Sequence, residues 1–440
     1  MGGSGLVAIA LLVLAYAAVS RRLLGSVITP AMVFVAGGIV ASADVLGWLD
    51  PTIGSDSVRW VAEATLTVVL FSDASRIDLA ALRREYVVPL RLLAIGLPLT
   101  IVAGALAGVA VLGQLAFIEA VLLAIVLAPT DAALGQAVVT DPRIPSRIRQ
   151  GLNVESGLND GICVPLLLFA IAIAEVQEDA IGHGAAVHLL LEEVGYGIVG
   201  GVLAGLAAAV VIRLGVARRL VDPIWLQVVP VAGAGLAYGL AVWMGGSGFI
   251  AAFIGGAVFG GLRREVGGEV TLFLEETGGL LGAVTFVLFG AVMLVPVLDD
   301  LSGAVVLYAL LSLTLIRMVP VALAMLGSGA RPPTVAFVGW FGPRGLASIV
   351  FAVILVEDAN LVHESVLLNT IFLTVALSVL LHGLTATPLA ERYAAWFAAH
   401  PRPAVPAFEA VPATDQRPHR WAAGLQQAPQ KTEGTSDPAS

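Results

Sequence analysis

Apolar runs of about twenty residues recur along almost the entire chain, and they restrict its fold more than any other feature. A run of about that length is what an α-helix needs to cross the hydrocarbon core of a bilayer. The 440 residues are 58% hydrophobic and only 12% charged, whereas a soluble domain carries about 25% charged residues. Since helices and closed barrels alone satisfy their backbone hydrogen bonds within lipid, the sequence predicts an all-α polytopic membrane protein.

The apolar runs divide into thirteen predicted membrane spans, which make residues 1–390 a transmembrane domain. The segment 391–440 is rich in Pro, Ala, Gln and Ser and is predicted to be a disordered cytoplasmic tail. The first run has no basic leader and no small-residue cleavage site, so we expect it to remain as the first span. The predicted spans are 5–20, 27–47, 57–76, 89–111, 116–139, 150–174, 188–212, 223–244, 247–262, 270–297, 302–327, 333–356 and 363–388.

The charges in the loops alternate, and this alternation predicts the orientation of the chain. Arginines concentrate in the loops after the odd-numbered spans, and acids in the loops after the even-numbered spans. Arg59 is the exception. The positive-inside rule then places the N-terminus outside and the C-terminus in the cytoplasm of a multi-pass cell membrane protein.

Composition also argues against several classes of function. The formal net charge is −9 and no basic patch is present, so nucleic-acid binding is not expected. Cys163 is the only cysteine, which excludes an internal disulfide and predicts a buried, inert thiol. The six histidines are scattered without ligand spacing, so neither a metalloenzyme centre nor a cofactor is predicted.

A few ionisable side chains fall within the predicted spans. Each costs about 2.5 kcal/mol or more in hydrocarbon, so each must face a cavity or a partner. Five acids cannot all pair with two arginines, and some carboxylates are therefore expected to be hydrated, protonated or bound to a cation. The residues are Asp73, Asp131, Glu155, Asp160, Glu275 or Glu276, Arg317 and Arg344.

Span 6 groups oxygen-bearing side chains along its faces. Ser156 and Asp160 are four residues apart, as are Glu155 and Asn159, so each pair stacks on one face of a helix. A carboxylate with hydroxyl and amide oxygens nearby suits a hard monovalent cation. Burial also favours the protonated form of a carboxylate. A single carboxylate that holds either a metal ion or a proton is enough for exchange.

Two spans contain helix-breaking sequences in corresponding places. Span 5 contains Ala128-Pro129-Thr130-Asp131 and span 12 contains Gly342-Pro343-Arg344-Gly345. Proline removes a helical hydrogen bond, and these spans are the fifth of the first six and the fifth of the last six. Matched breaks indicate two inverted-topology repeats with a site between them near the midplane. Asp131 and Arg344 follow the breaks, where they are placed to offset the partial charges of half-helix ends.

These segments resemble the NhaP-type sodium/proton antiporters of the monovalent cation:proton antiporter-1 family. The resemblance covers residues 5 to 390 and rests on five motifs in order. The motifs are Ala128-Pro129-Thr130-Asp131 in span 5, Glu155-Ser156-Gly157-Leu158-Asn159-Asp160-Gly161 in span 6, Gly246-Ser247-Gly248-Phe249-Ile250 at the start of span 9, Phe273-Leu274-Glu275 in span 10 and Gly342-Pro343-Arg344-Gly345 in span 12.

The resemblance implies roles for individual residues. Asp160 would bind Na⁺ and carry the proton, with Ser156 and Thr130 as further oxygen ligands. Asn159 stands where electrogenic relatives have a second aspartate, which implies electroneutral one-for-one exchange. The family fold is the NhaA-like antiporter fold, a homodimer in which a mobile core bundle moves against an interface domain. The supporting polar network would comprise Asp131, Glu155, Asn159, Arg344, Arg317 and Glu275.

Two positions depart from the family pattern. Family members that bind through a glutamate in span 3 have it near Asp73, which is one methylene shorter and close to Arg76. Asp73 is therefore either a cation ligand or the partner of Arg76. In span 10 the family often has an asparagine seven residues after the glutamate, but Gly282 occupies that place. This leaves the partner of Glu275 open.

Other activities fit parts of the sequence. The same oxygens suit Na⁺, Li⁺ and K⁺, so K⁺/H⁺ exchange by the same mechanism is the main alternative. Gly245-Gly246-Ser247-Gly248 is similar to the Gly-x-Ser-Gly of intramembrane serine proteases, with His382 as an available base. That interpretation leaves Asp160 and the paired breaks unexplained. A channel would share the polar residues, but inverted repeats favour alternating access.

Overall fold

The computed structural model describes residues 3–23, 25–49, 56–77, 87–177, 183–262, 268–299, 301–359, 361–399 and 408–410. Within these ranges the chain is helical apart from turns, breaks and one isolated bridge between Ser42 and Leu49. Eight of the described helices are long and apolar enough to cross a membrane, and four shorter apolar helices accompany them. The prediction of an all-α membrane protein is confirmed.

Thirteen helical elements match the predicted spans in order. Spans 5 and 12 are each two half-helices, as their prolines predict. The second element is shorter than predicted, because the chain turns after Ala41. The elements are α1 (Gly3–Leu23), α2 (Pro30–Ala41), α3 (Asp56–Arg76), α4 (Val87–Leu112), α5a (Phe117–Val126), α5b (Gln136–Val139), α6 (Ser146–Gln177), α7 (His183–Ala217), α8 (Pro223–Trp243), α9 (Gly248–Leu262), α10 (Leu272–Leu298), α11 (Gly303–Ala324), α12a (Pro332–Trp340), α12b (Leu346–Asp358) and α13 (Glu364–Ala399).

Small residues let some of these helices pack at very short range. In α7 a Cβ at Gly201 would lie 2.5 Å from the carbonyl oxygen of Ala251 in α9. Gly197 and Gly205, one turn to either side, face α9 in the same way. Close backbone contact of this kind is how helices associate in lipid, where no hydrophobic force drives them together.

Contacts between helix ends form two groups. In the first group, Arg147 in the first turn of α6 donates to the carbonyl of Phe408 at 3.1 Å, and Arg331 before α12a donates through its backbone N–H to Glu409 at 2.8 Å. In the second group, Arg59 in α3 lies 2.9 Å from Glu357 in α12b. The starts of α6 and α12a thus lie near residues 408–410, which follow α13, and the start of α3 lies near the end of α12b.

The last helix extends further than the sequence predicts. The tail was placed at 391–440, but α13 continues to Ala399 and a short 3-10 turn forms at Phe408–Ala410. The reason is packing, since Tyr393 stacks on Phe337 of α12a with ring centroids 4.2 Å apart and is 5% exposed. The rest of the predicted tail, 400–407 and 411–440, lies outside the described residues.

Candidate functional site

The two broken helices cross, and their breaks bond to each other. The backbone N–H of Asp131 in the first break donates to the carbonyl of Pro343 in the second, at 2.8 Å. The break in span 5 covers residues 127–135 and the break in span 12 covers 341–345. Irregular backbone in a membrane protein survives only where protein or a cavity surrounds it, and here each break supplies part of the other's surroundings.

Each break also provides a charge to the other's half-helix. The Asp131 carboxylate accepts from the backbone N–H of Leu346, the first residue of α12b, at 3.1 Å. The Arg344 guanidinium donates to the carbonyls of Ala128 and Pro129, which follow α5a. An acid thus lies at a helix N-terminus and a cation at a helix C-terminus, the favourable pairing with the helix dipole. The expected offset of partial charges occurs across the crossing.

Two glycines make room for this arrangement. A Cβ at Gly345 would collide with the Asp131 carboxylate, and a Cβ at Gly342 would collide with the Arg317 guanidinium. Both contacts would be closer than any real Cβ contact, so a side chain at either position would displace a charged group of the site.

Hydrogen bonds join α6 to the break in span 5. The Ser156 hydroxyl donates to the Thr130 carbonyl at 2.5 Å and accepts from the backbone N–H of Ala132 at 2.8 Å. One turn further along, the Asn159 amide donates to the Thr130 hydroxyl at 2.8 Å. The structure therefore brings Thr130 of span 5 together with Ser156 and Asn159 of span 6.

Asp160 lies beside this cluster and is 6% exposed. Its Oδ1 atom is buried and accepts no hydrogen bond from the described residues. The charged side chains that act on it include Asp73 and Asp131, both acidic. Asp73 is half-buried on α3 and packs against Gly157, where a Cβ would lie 3.5 Å from the Asp73 Cβ. Two acidic side chains therefore act on buried Asp160, a combination that favours binding of positive charge.

Glu155, on the same helix, has the opposite kind of environment. Arg317 of α11 donates to both of its carboxylate oxygens, at 2.6 and 2.9 Å. Both residues are 2% exposed. This bidentate pair lies next to the crossing, since Arg317 also contacts Gly342.

Glu275 has a partner that the sequence left open. Its carboxylate lies 3.9 Å from the Arg76 Nε atom and accepts from the Thr271 hydroxyl at 3.3 Å. Arg76 thus extends from the end of α3 towards α10. The neighbouring Glu276 is exposed.

A small cavity lies at the crossing of the two breaks. Its walls include Thr130, Asp131 and Ser156 together with apolar side chains of α5b and α6. Asp160 lies one helical turn beyond Ser156. The cavity therefore lies beside the oxygens next to Asp160.

Sequence reasoning missed several uncharged polar residues at the site. Ser348 donates to the Val126 carbonyl at 2.8 Å, and Ser378 accepts from the backbone N–H of Arg344 at 2.6 Å. The available signal was Ser378 and His382 four residues apart in an otherwise apolar span, which places both on one face.

The protease interpretation does not match the contacts of its two residues. His382 contacts the Trp340 carbonyl and Ser378, while Ser247 caps α9 by accepting from the backbone N–H of Ile250 at 3.4 Å. Among the described residues no hydrogen bond joins Ser247 to His382.

Comparison with known proteins gives consistent matches. The family described as "Sodium/hydrogen exchanger, transmembrane" matches residues 7–392. The Na(+)/H(+) antiporter NhaP of Pseudomonas aeruginosa is 28% identical over 355 residues, which cover 74% of this chain and 79% of that protein. The K(+)/H(+) antiporter NhaP of Alkalimonas amylolytica is 25% identical over 368 residues, covering 82% of this chain and 62% of that protein.

A solved structure shares the architecture. The sodium proton antiporter MjNhaP1 of Methanocaldococcus jannaschii superimposes with a TM-score of 0.72 at 19% identity, over 90% of this chain and 98% of that chain. The likeness at this level of identity is one of fold.

Proposed function

The chain belongs to the sodium/hydrogen exchanger family, and from this premise we propose that it exchanges Na⁺ or Li⁺ for H⁺ across the membrane, one for one, with cation and proton competing for Asp160. The family is one of transporters. Antiport by alternating access is the activity that its fold and its relatives support.

The observation that carries this proposal is the buried oxygen of Asp160. It has no hydrogen-bond donor among the described residues, and the acidic side chains of Asp73 and Asp131 act on it. A buried carboxylate without compensation is costly, so a proton or a metal cation stabilises it. Since one oxygen site holds either of them, binding of one displaces the other.

Thr130 and Ser156 support Asp160 as oxygen ligands. The Ser156 oxygen donates one hydrogen bond and accepts another, which leaves one lone pair, because a hydroxyl carries two. The Thr130 hydroxyl accepts from Asn159. We propose that Na⁺ lies among these oxygens, and that Asp73 approaches it from α3.

Asn159 sets the charge balance in this proposal. Its amide donates to Thr130 and carries no charge of its own. Asp160 is then the only carboxylate that exchanges its ligand. It moves from each face of the membrane to the other with either one Na⁺ or one H⁺ bound. Each full cycle therefore moves no net charge.

Charged side chains around Asp160 hold the helices of the site in place during this exchange. The Glu155–Arg317 pair and the Asp131 and Arg344 contacts hold α5, α6, α11 and α12 in register. Glu275 and Arg76 tie α3 to α10. Moving Asp160 between the two faces of the membrane would be costly if its carboxylate held neither a proton nor a cation. The core bundle therefore moves only when one of the two is bound.

The relatives leave two choices of cation. Their names include both Na(+)/H(+) and K(+)/H(+) antiporters. A K⁺/H⁺ antiporter with the same residues and the same mechanism is therefore the second candidate. The choice depends on the size of the oxygen cage, which the hydroxyl of Thr130 helps to define.

We propose in addition a homodimer in the cell membrane, with the Arg147 face cytoplasmic. The charge distribution supports the orientation through the positive-inside rule, and the family architecture supports the dimer. A membrane-impermeant thiol reagent applied to whole cells should label Val362→Cys, which lies on the His363 side and is 81% exposed. It should label Arg21→Cys only after permeabilisation.

The test of function uses purified protein in liposomes with an imposed pH gradient and a pH-sensitive dye inside. Na⁺, Li⁺, K⁺ and choline are added in turn to wild type, to Asp160→Asn and to the control Glu276→Gln, which alters an exposed carboxylate. Collapse of the gradient by Na⁺ or Li⁺ in wild type and control, but not in Asp160→Asn, is expected. Collapse by K⁺ alone would keep the mechanism and change the cation, whereas no collapse by any cation would refute the antiport proposal.

A further inference from the structure

A chain of hydrogen bonds bridges the break in span 12. The backbone N–H of Arg344 donates to the Ser378 hydroxyl at 2.6 Å, and the Ser378 hydroxyl lies 3.3 Å from His382 Nδ1. The other ring nitrogen, Nε2, lies 2.9 Å from the carbonyl oxygen of Trp340. Trp340 ends α12a and Arg344 follows the break, so two side chains of α13 connect its two sides.

The partners constrain the direction of these bonds. The Ser378 hydroxyl accepts from the backbone N–H of Arg344. Each ring nitrogen of His382 lies near a carbonyl oxygen, which only accepts: Nε2 is 2.9 Å from that of Trp340, and Nδ1 is 3.0 Å from that of Ser378. We assign the hydrogen to Nε2, which then donates across the break to Trp340, and Nδ1 then accepts from the Ser378 hydroxyl.

The same helix holds Trp340 at a second point. The Trp340 indole N–H donates to the Thr385 hydroxyl at 3.0 Å, and the indole ring stacks on the His382 ring with centroids 5.2 Å apart. Ser378 and His382 are 0% and 1% exposed. A buried side chain that satisfies the carbonyl at a helix end replaces the hydrogen bond that the helix cannot make.

We propose that Ser378 and His382 are positioning residues, which form a brace that fixes the break in span 12 and thereby the cation site. The brace acts through Pro343, whose carbonyl accepts from the backbone N–H of Asp131. Asp131 is adjacent to Thr130, which is proposed to bind the cation. Displacement of residues 341–344 would therefore move the Thr130 oxygens relative to Asp160.

The brace is expected to affect cation affinity more than protein folding. Substitution of residues that orient metal ligands commonly lowers metal affinity by about 10–100-fold. We expect Ser378→Ala and His382→Leu each to raise the apparent KM for the transported cation by about tenfold, the lower end of that range. His382→Gln keeps an N–H donor for the Trp340 carbonyl and should restore KM to within about twofold of wild type.

The experiment measures apparent KM and maximal rate of cation-dependent H⁺ efflux from proteoliposomes at one fixed pH. Thr374→Val is the matched control. Thr374 lies one turn before Ser378, and its buried hydroxyl donates to the backbone carbonyl of Thr370 within α13. Because Ser378 and His382 belong to one chain, the double variant should raise KM no further than either single variant does. Ser378→Ala provides the test if His382→Leu does not fold.

Three results would overturn the brace. They are an unchanged KM in Ser378→Ala, a His382→Gln variant as impaired as His382→Leu, and multiplication of the two single effects in the double variant. The inference rests on the proposed antiport, yet the two fail separately. A wild-type protein without exchange refutes the antiport, whereas normal exchange with a normal KM in the variants refutes the brace alone.

Discussion

Helix α6 carries two buried carboxylates, Glu155 and Asp160, whose surroundings are opposite. Glu155 is 2% exposed and Asp160 is 6% exposed, so burial does not separate them. Both oxygens of Glu155 accept from Arg317, whereas Oδ1 of Asp160 accepts from no described residue. The two acids thus differ in their partners. In the proposed mechanism Glu155, with its permanent cation, is an anchor, and Asp160, without one, is the site of exchange.

The largest expected effect breaks the anchored region. Arg317→Met leaves Glu155 buried without a cation, and loss of one partner of a buried pair typically costs about 3–5 kcal/mol. We expect a large fall in the thermal unfolding temperature of the purified protein, measured by intrinsic fluorescence. Removing both charges in Glu155→Leu with Arg317→Met should recover much of that loss. A double variant less stable than the single one would show that the pair does more than neutralise itself.

The second effect tests the exchange region through ligand stabilisation. A ligand that binds only the folded state adds about 2.7 kcal/mol of stability at one hundred times its Kd. Saturating cation should therefore raise the unfolding temperature of wild type, and Asp160→Asn should lose this rise while remaining folded. Glu276→Gln should behave as wild type. An equal rise in Asp160→Asn would place the cation elsewhere.

The smallest effect comes from an ion pair outside the membrane. Partial burial raises the pKa of Asp141, but the hydrogen bonds from Arg143 at 2.8 and 3.0 Å outweigh it and hold that pKa below its usual value. The pair therefore adds stability above the usual pKa of about 3.9, and that stability is lost as pH falls through the lowered value. The difference in unfolding temperature between wild type and Asp141→Asn should be small at neutral pH and vanish in acid. A difference that grows in acid would contradict the assignment.

Local signals in the sequence were sufficient for much of the fold. The thirteen elements follow from apolar length, and both breaks follow from Pro129 and Pro343, because each cause lies within the segment it affects. The positions of Asp131 and Arg344 also predicted that they offset helix ends. That each acts on the other's helix depends on how the halves cross, which no local pattern contains.

Pairings between distant helices were beyond the sequence for the same reason. Glu155 and Arg317 are 162 residues apart, and the rotation of two helices about their axes decides whether they meet. Glu275 lies 3.9 Å from Arg76, a residue at a helix end that the sequence also offers as a partner for Asp73. Ser378 went unnoticed, and His382 was weighed only as a protease base, because an uncharged side chain in an apolar span carries no large cost that demands a partner.

The cross-bonded breaks have a consequence for how the chain is made. Ala128 and the arginine that bonds its carbonyl are 216 residues apart. At a synthesis rate of about 5–20 residues per second, the first leaves the ribosome roughly 10–40 s before the second. During that interval the carbonyls beyond α5a lack Arg344, and hydrocarbon offers no replacement. Until span 12 is made, these carbonyls of span 5 must therefore be satisfied by water, by the insertion machinery or by earlier helices. Span 5 reaches its final buried position only after span 12 has been synthesised.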